Sequence, residues 1–530
     1  MPKYMHMTGR RRAAILLATL ALGAVGIAAR QQLDGAHLFQ AVLARVKAAG
    51  VDSLSDSTLY LKAARGLVQQ LNDPYAGLYS PEQLAEFSRN TLGNDYAGVG
   101  LAIENLADST TVMTVFPHTP AATAGIEVGD RIVAIDGTAI IGWSTDRVAK
   151  RLTGPNGSSV RVTFARVGVP QPVEEQLARS VVHVPAVPYA LIVGDHIGYI
   201  PLQRFGETAT SETRAALGAL QKAGATAYII DLRGNPGGEL VEALGVSNLF
   251  LDEGMALATV RNRGESAQRY VAHDGAVEHG MPVVVLVDAN TASASEIVAG
   301  ALQDHDRALV VGMPSFGKGL VQTMFPLEGG WALKMTTGRW YTPSGRSIHR
   351  VRPFAEGRFL TPDSEPTSRT PAAIRAGRPL AYSDAGRVLY GGGGIVPDVI
   401  VPQDTLSGTE QHLLTGLLSH GPAARAALYG IARDLKGSVR PDFAVRPEWR
   451  TMYEERLKSA GVAVSSALVD SAGTFVDGMI ASRIADLAFG DSAAFRRDAP
   501  RDAQLQRAMV LLRQARDLPT LLTVALHTDG

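Results

Sequence analysis

Apolar residues run without a break through Pro282–Val287 (PVVVLV), and small and polar residues follow at once in Asp288–Ser295. An uninterrupted apolar run of this length predicts a strand buried on both faces of a largely parallel sheet. The pattern then changes to that of a helix over Ile297–Leu302, which places a turn at Thr291–Glu296. A second apolar strand, Ala308–Gly312, leads into Ser315–Gly319 (SFGKG). Upstream, Ile197–Phe205 and Ala227–Leu232 read as strands, with helices over Thr210–Ala223 and Val241–Phe250. This β-α-β order predicts a mixed sheet with covering helices. Trp331–Tyr341 alternates as a strand does, and 36–92 reads as helices with polar breaks, at His37–Ala49, Thr58–Leu71 and after Ser80. Past residue 405 the apolar spacing predicts helices over His412–Ser419, Pro422–Leu435, Pro447–Ala460 and Asp502–Asp517.

The pattern places two side chains with chemical potential. Ser293 falls on a strand-to-helix turn, where backbone N–H groups stay free. Lys318 falls on a turn with glycine on both sides, which permits a close backbone approach. A serine hydroxyl needs a base to become a nucleophile, and a lysine serves as one only when neutral, a form that burial favours. The competing reading is a helix-capping serine and a solvated lysine.

The residues around the pair decide between these readings. Thr291–Asp304 (TASASEIVAGALQD) followed by Gly317–Gln322 (GKGLVQ), with Ile229–Gly238 (IIDLRGNPGG) upstream, resembles the carboxyl-terminal processing proteases, also called tail-specific proteases. The resemblance runs from about 60 to 400. It implies that Ser293 is the nucleophile, Lys318 its base and Gln322 the residue that orients the lysine. It also implies an oxyanion hole from the backbone of Ala294, Gly237 and Gly238. The implied fold is multidomain α/β: a mixed-sheet, ClpP/crotonase-like protease core with an inserted PDZ domain and helical N- and C-terminal regions. Tyr96–Ile103 and Pro120–Gly137 resemble a PDZ module. In it Gly98, Val99, Gly100, Leu101, Ala102 and Ile103 would hold a substrate's terminal carboxylate and pair with its last residues, with Thr145–Leu152 walling the groove. In some family members the helical amino-terminal region serves self-association. One departure stands out. The Gly391–Asp398 element follows Thr342–His349 only after about 40 residues, so 350–386 is expected to be a surface insertion.

The expected boundaries are a 1–30 targeting segment, a 36–92 helical region, a 95–168 PDZ domain, a 185–404 core and a 405–530 helical region. Arg10–Arg12 ahead of the uncharged run Ala13–Ala29 predicts export, by a signal peptide or a short membrane anchor, to the periplasm or the extracytoplasmic face. Lys+Arg and Asp+Glu balance at 51 each, which removes the electrostatic case for nucleic acid. The chain has no cysteine, so disulfides and thiol catalysis are excluded. Its 12 histidines show no metal-site spacing, and no cofactor or metal is expected. His305 is expected to be a solvated surface residue, Asp231 and Arg233 structural charges under the glycine turn, and Glu296 a first-turn residue favoured by the helix dipole. The expected partners are protein or peptide C-terminal tails, with an adaptor or self-association through the helical termini left open. Two functions remain: a serine endopeptidase recruiting exported proteins by their tails, or a catalytically silent PDZ-bearing binder or chaperone.

Overall fold

The computed structural model describes residues 34–88, 93–106, 109–166, 168–278, 280–352, 354–355, 358–359, 370–403 and 406–527. The expected targeting segment lies outside them. Among the described residues no helix is long and apolar enough to cross a membrane. The chain divides into two units, Met1–Leu78 and Tyr79–Gly530. The first carries helices Gly35–Ala49 and Asp56–Gln69, capped by the side chains of Asp34 and Ser55.

The second unit is built on a six-stranded sheet. Its strands run in the order Leu191–Val193, Ile197–Pro201, Ala227–Asp231, Val283–Val287, Leu309–Gly312 and Val399–Ile400. Only the first pairing is antiparallel. Val283, Val285 and Val287 pack with helices Ala209–Lys222, Leu240–Asn248 and Ala294–Asp304. Val284 and Leu286, one residue out of phase, pack instead with Leu505, Met509 and Leu512 of helix Ala503–Gln514. The sheet therefore has both faces covered, which is why its central strand is apolar throughout. The second cover comes from the far end of the chain. A fully buried side chain of this size contributes roughly 1.5–3 kcal/mol, so residues 503–521 are integral to the core. Beside this sheet, strands Ala256–Asn262, Gln268–Val271, Leu320–Pro326 and Ala332–Tyr341 form an antiparallel ladder.

The PDZ sheet runs Leu101–Leu106, Ser109–Val115, Arg131–Ile135, Ser159–Ala165 and Val173–Ala178, with helix Thr145–Leu152 packed on it through Val148 and Leu152. Its entry and exit strands, Asp95–Gly98 and Ser180–His183, pair with each other as a two-stranded stem. The C-terminal helices brace this module. Leu106 is buried in one apolar cluster with Leu413, Tyr429, Trp449 and Val476. The buried Tyr429 hydroxyl donates to the Val112 carbonyl at 2.7 Å, and Lys436 Nζ reaches Glu127 at 2.8 Å. The longest helix there, Gly473–Phe489, is one the sequence reading passed over.

Part of the expected surface insertion is docked rather than free-standing. The hairpin Leu380–Tyr382 with Val388–Tyr390 is pinned by Arg387, whose guanidinium meets Asp306 at 2.5 Å and Asp398 at 2.6 Å. Leu380, Tyr382 and Val388 stay exposed on it. The expectation for His305 is corrected by the same packing. Its side chain is only 9% exposed, with Nδ1 2.7 Å from Asp384 and Nε2 2.7 Å from the Ala256 carbonyl. The insertion covers a helix end that is polar in sequence.

Candidate active site

The strand Val283–Val287 ends at Asp288, whose Oδ1 accepts the N–H groups of Asn290 and Thr291 at 3.0 Å. Thr291 Oγ1 in turn donates to the Leu232 carbonyl at 2.8 Å. These bonds fix the turn that carries Ser293 into the start of helix Ala294–Asp304. Ser293 has φ 57, a left-handed conformation that costs a non-glycine residue about 1–3 kcal/mol. It is half-buried, and its N–H donates to Glu296 Oε2 at 2.7 Å.

The glycine turn after Ala227–Asp231 lies against this serine. A Cβ on Gly237 would fall 2.7 Å from the Ala292 carbonyl, 2.9 Å from Ala294 N and 2.9 Å from Ser293 Cβ, so only glycine allows the approach. Asn235 locks the turn: its carbonyl accepts Ala292 N–H at 3.0 Å and Ser295 Oγ–H at 3.0 Å. Its Oδ1 accepts the Gly237 N–H at 2.9 Å. The Gly237 amide, one of the three expected oxyanion donors, is thus engaged within the turn in this structure. Among the described residues the N–H groups of Ala294 and Gly238 have no acceptor in the chain.

Lys318 sits on the turn ahead of strand Leu320–Pro326 and is half-buried. A Cβ on Gly317 would meet Arg350 at 2.8 Å and Gly394 N at 2.9 Å, so the turn threads between two segments. The backbone of Lys318 is held at both ends. Its N–H donates to Glu296 Oε2 at 2.9 Å, and its carbonyl accepts the Trp340 indole N–H at 3.0 Å.

Glu296, expected from sequence to be a first-turn residue favoured by the helix dipole, is also the joint between the two turns. It is fully buried. Oε2 accepts the N–H groups of both Ser293 and Lys318, and Oε1 accepts Gly317 N–H at 2.6 Å and Ser315 Oγ–H at 2.6 Å. Two backbones that reach one oxygen atom lie side by side. Burial pushes the Glu296 carboxyl above its ordinary range, and its four hydrogen bonds pull it back only in part. The sequence signal that could have found this role is a carboxylate three residues after the turn serine, facing a loop of small residues rather than water.

Gln322 follows on the strand, at a register shift after Val321, and its Nε2 lies 3.4 Å from Thr336 Oγ1 across the hairpin. His349 touches the same turn, 2.9 Å from a Cβ on Gly319. Burial, then Arg339 and Arg352, push its imidazole pKa down, so it is neutral near pH 7. The PDZ loop residues sit elsewhere in the unit. Val99 and Gly100 use their carbonyls on Ala121 N–H and Phe116 N–H, at 2.9 and 3.0 Å. Leu101, Ala102 and Ile103 lie on a strand that pairs on one side only among the described residues. No group of side chains suited to a metal ion occurs among the described residues.

The sequence matches two protein-family models and several known proteases. Residues 196–356 match peptidase family S41, and residues 111–166 match the PDZ domain family. The carboxy-terminal-processing protease of Bartonella bacilliformis is 36% identical over 329 residues, covering 61% of this chain and 73% of that protein. The corresponding Synechocystis protease is 37% identical over 295 residues, covering 54% and 68%. A solved structure, the photosystem II D1 C-terminal processing protease, is 31% identical and covers 60% of this chain and 84% of its own, at a TM-score of 0.35. The chain belongs to peptidase family S41, and within it to the carboxy-terminal-processing proteases.

Proposed function

We propose that the protein recruits exported proteins by their C-terminal tails through the PDZ groove and cleaves them with Ser293 and Lys318. The observation that carries this reading is the shared oxygen of Glu296, which sets the turns of Ser293 and Lys318 edge to edge while Gly237 lies against the serine. Lys318 Nζ takes the Ser293 hydroxyl proton as Oγ bonds to the scissile carbonyl carbon. The carbonyl oxygen becomes an oxyanion facing the open N–H groups of Ala294 and Gly238. Lys318 then gives the proton to the leaving amine, and water releases the acyl chain by the same route. Gln322 orients the lysine from the adjoining strand. Export rests on the basic and apolar segment at 10–29.

The test is cleavage of an unfolded protein with an apolar tail by wild type and by Ser293→Ala. Cleavage by wild type alone supports the reading; no cleavage by either leaves the silent binder. Recruitment has its own test. Amidating the substrate's C terminus removes the charge held by the amides of Gly98–Leu101, at a cost of about 1–3 kcal/mol for a charged hydrogen bond. Tail affinity measured by calorimetry should fall about tenfold or more. An amidated tail that binds and is cleaved like the free acid would end the carboxylate-loop assignment.

A further inference from the structure

Arg233 opens the glycine turn, and its guanidinium is gripped from two directions. Nε and Nη2 donate to Asp231 at 2.6–3.1 Å. Nη1 and Nη2 donate to Asp502 Oδ1 and Oδ2 at 2.8 and 2.6 Å, and Nη1 also reaches Gln504 Oε1 at 3.2 Å. Asp502 and Gln504 lie more than 260 residues further along the chain. Asp502 is itself fixed, since its Oδ1 caps helix Ala503–Gln514 by accepting Leu505 N–H at 3.0 Å. Gln504 is 1% exposed and donates to the Val401 carbonyl at 2.8 Å. The helix behind them is anchored in the sheet's second face.

We propose that Asp502 is a positioning residue: it holds Arg233, and through Arg233 the turn that presents Gly238 N–H, so the C-terminal helical region completes the active site. The proposal rests on the reading of Gly238 as an oxyanion donor. The bidentate pair supplies two charge-assisted hydrogen bonds in a fixed plane, which sets direction as well as strength. Without Asp502 the guanidinium keeps Asp231 and the single bond to Gln504 but loses its bidentate outer partner. The backbone from Gly234 to Gly238 keeps the bonds of Asn235 and Asp288 but loses the outer hold on the arginine that opens it. A displacement of roughly 1 Å at a catalytic group costs about 10²-fold in rate.

The test uses the full chain with Asp502→Ser, which keeps a helix cap, and Asp502→Asn, which keeps the shape without the charge. Both should melt near the wild-type temperature. Their kcat should fall about 10- to 100-fold with KM within about twofold of wild type. Phosphonylation of Ser293 by a fluorophosphonate, whose adduct places an oxygen in the same hole, should slow in proportion. Unchanged kcat, a change confined to KM, or unfolding of both variants overturns the positioning role. A wild type that cleaves nothing and is not labelled at Ser293 refutes the serine–lysine reading itself. A wild type and variants labelled at equal rates refute only this proposal.

Discussion

Lys318→Arg yields a folded protein that does not cleave, with turnover at least ~10³-fold below wild type, equivalent to ~4 kcal/mol of barrier. The fold survives because two bonds that tie this residue into the site are made by its backbone: its N–H to Glu296 and its carbonyl to Trp340. Neither depends on the side chain. The chemistry fails because a guanidinium stays protonated at any working pH and so cannot take the serine's proton. Lys318→Ala fails to the same degree for want of any base. The measurement is kcat/KM on an unfolded substrate across the neutral and alkaline range, with melting temperature as the control for folding. Turnover by the Arg variant within tenfold of wild type sinks the assignment of Lys318 as the base.

What the sequence carried of this site was local; what it missed comes from distant packing. The apolar run Pro282–Val287 announces a strand buried on both faces, and the small residues after it announce a turn. Nothing near it says that the second face is covered by Leu505, Met509 and Leu512 from the end of the chain. Helix Gly473–Phe489 was legible, since its buried residues Val476, Ile480, Ile484 and Leu487 repeat at helical spacing with Ala481 and Ala485 beside them, and the sequence reading missed it. His305 reads as a surface residue from its polar neighbours Gln303, Asp304 and Asp306. All three are buried, by contacts with Arg346, Arg387 and Asp398, while Asp384 and Ala385 of the insertion reach His305 and Asp306. The PDZ brace is invisible for a similar reason. Tyr429 and Lys436 are ordinary helical residues until Val112 and Glu127 are beside them. Glu296 looks like a dipole-favoured first-turn acid because its three non-local donors come from the loop 315–318. The Gly237 amide shows the same limit at shorter range, since the glycines mark the turn but not which N–H Asn235 takes.

Glu296→Gln should abolish most activity and also destabilise the protein. In wild type each carboxylate oxygen accepts two donors: Ser293 and Lys318 N–H on one, Gly317 N–H and Ser315 Oγ–H on the other. The amide of glutamine replaces one acceptor with an NH2 group, so one pair of donors faces another donor in a fully buried site. Leaving two buried donors unmet costs about 2–6 kcal/mol, offset in part because a neutral amide is easier to bury than a carboxylate. The two turns lose their common tie, and turnover should fall ~10²-fold or more. The pH dependence separates this role from simple support. Because burial raises the Glu296 carboxyl above its unfolded value of 4.5, the folded protein takes up a proton before the unfolded chain does as pH falls. This group's contribution to stability is therefore fully present below the unfolded value and is lost as pH rises through the folded one. Activity runs the other way, since a protonated oxygen can no longer accept both donors. Between the two values, acidification should raise the stability of wild type relative to Glu296→Gln while lowering the wild-type kcat. Both are measurable on one set of samples, by thermal melts and initial rates in matched buffers. An acid limb of kcat that persists unchanged in the Gln variant would show that the limb belongs to another group and that Glu296 is only a structural tie.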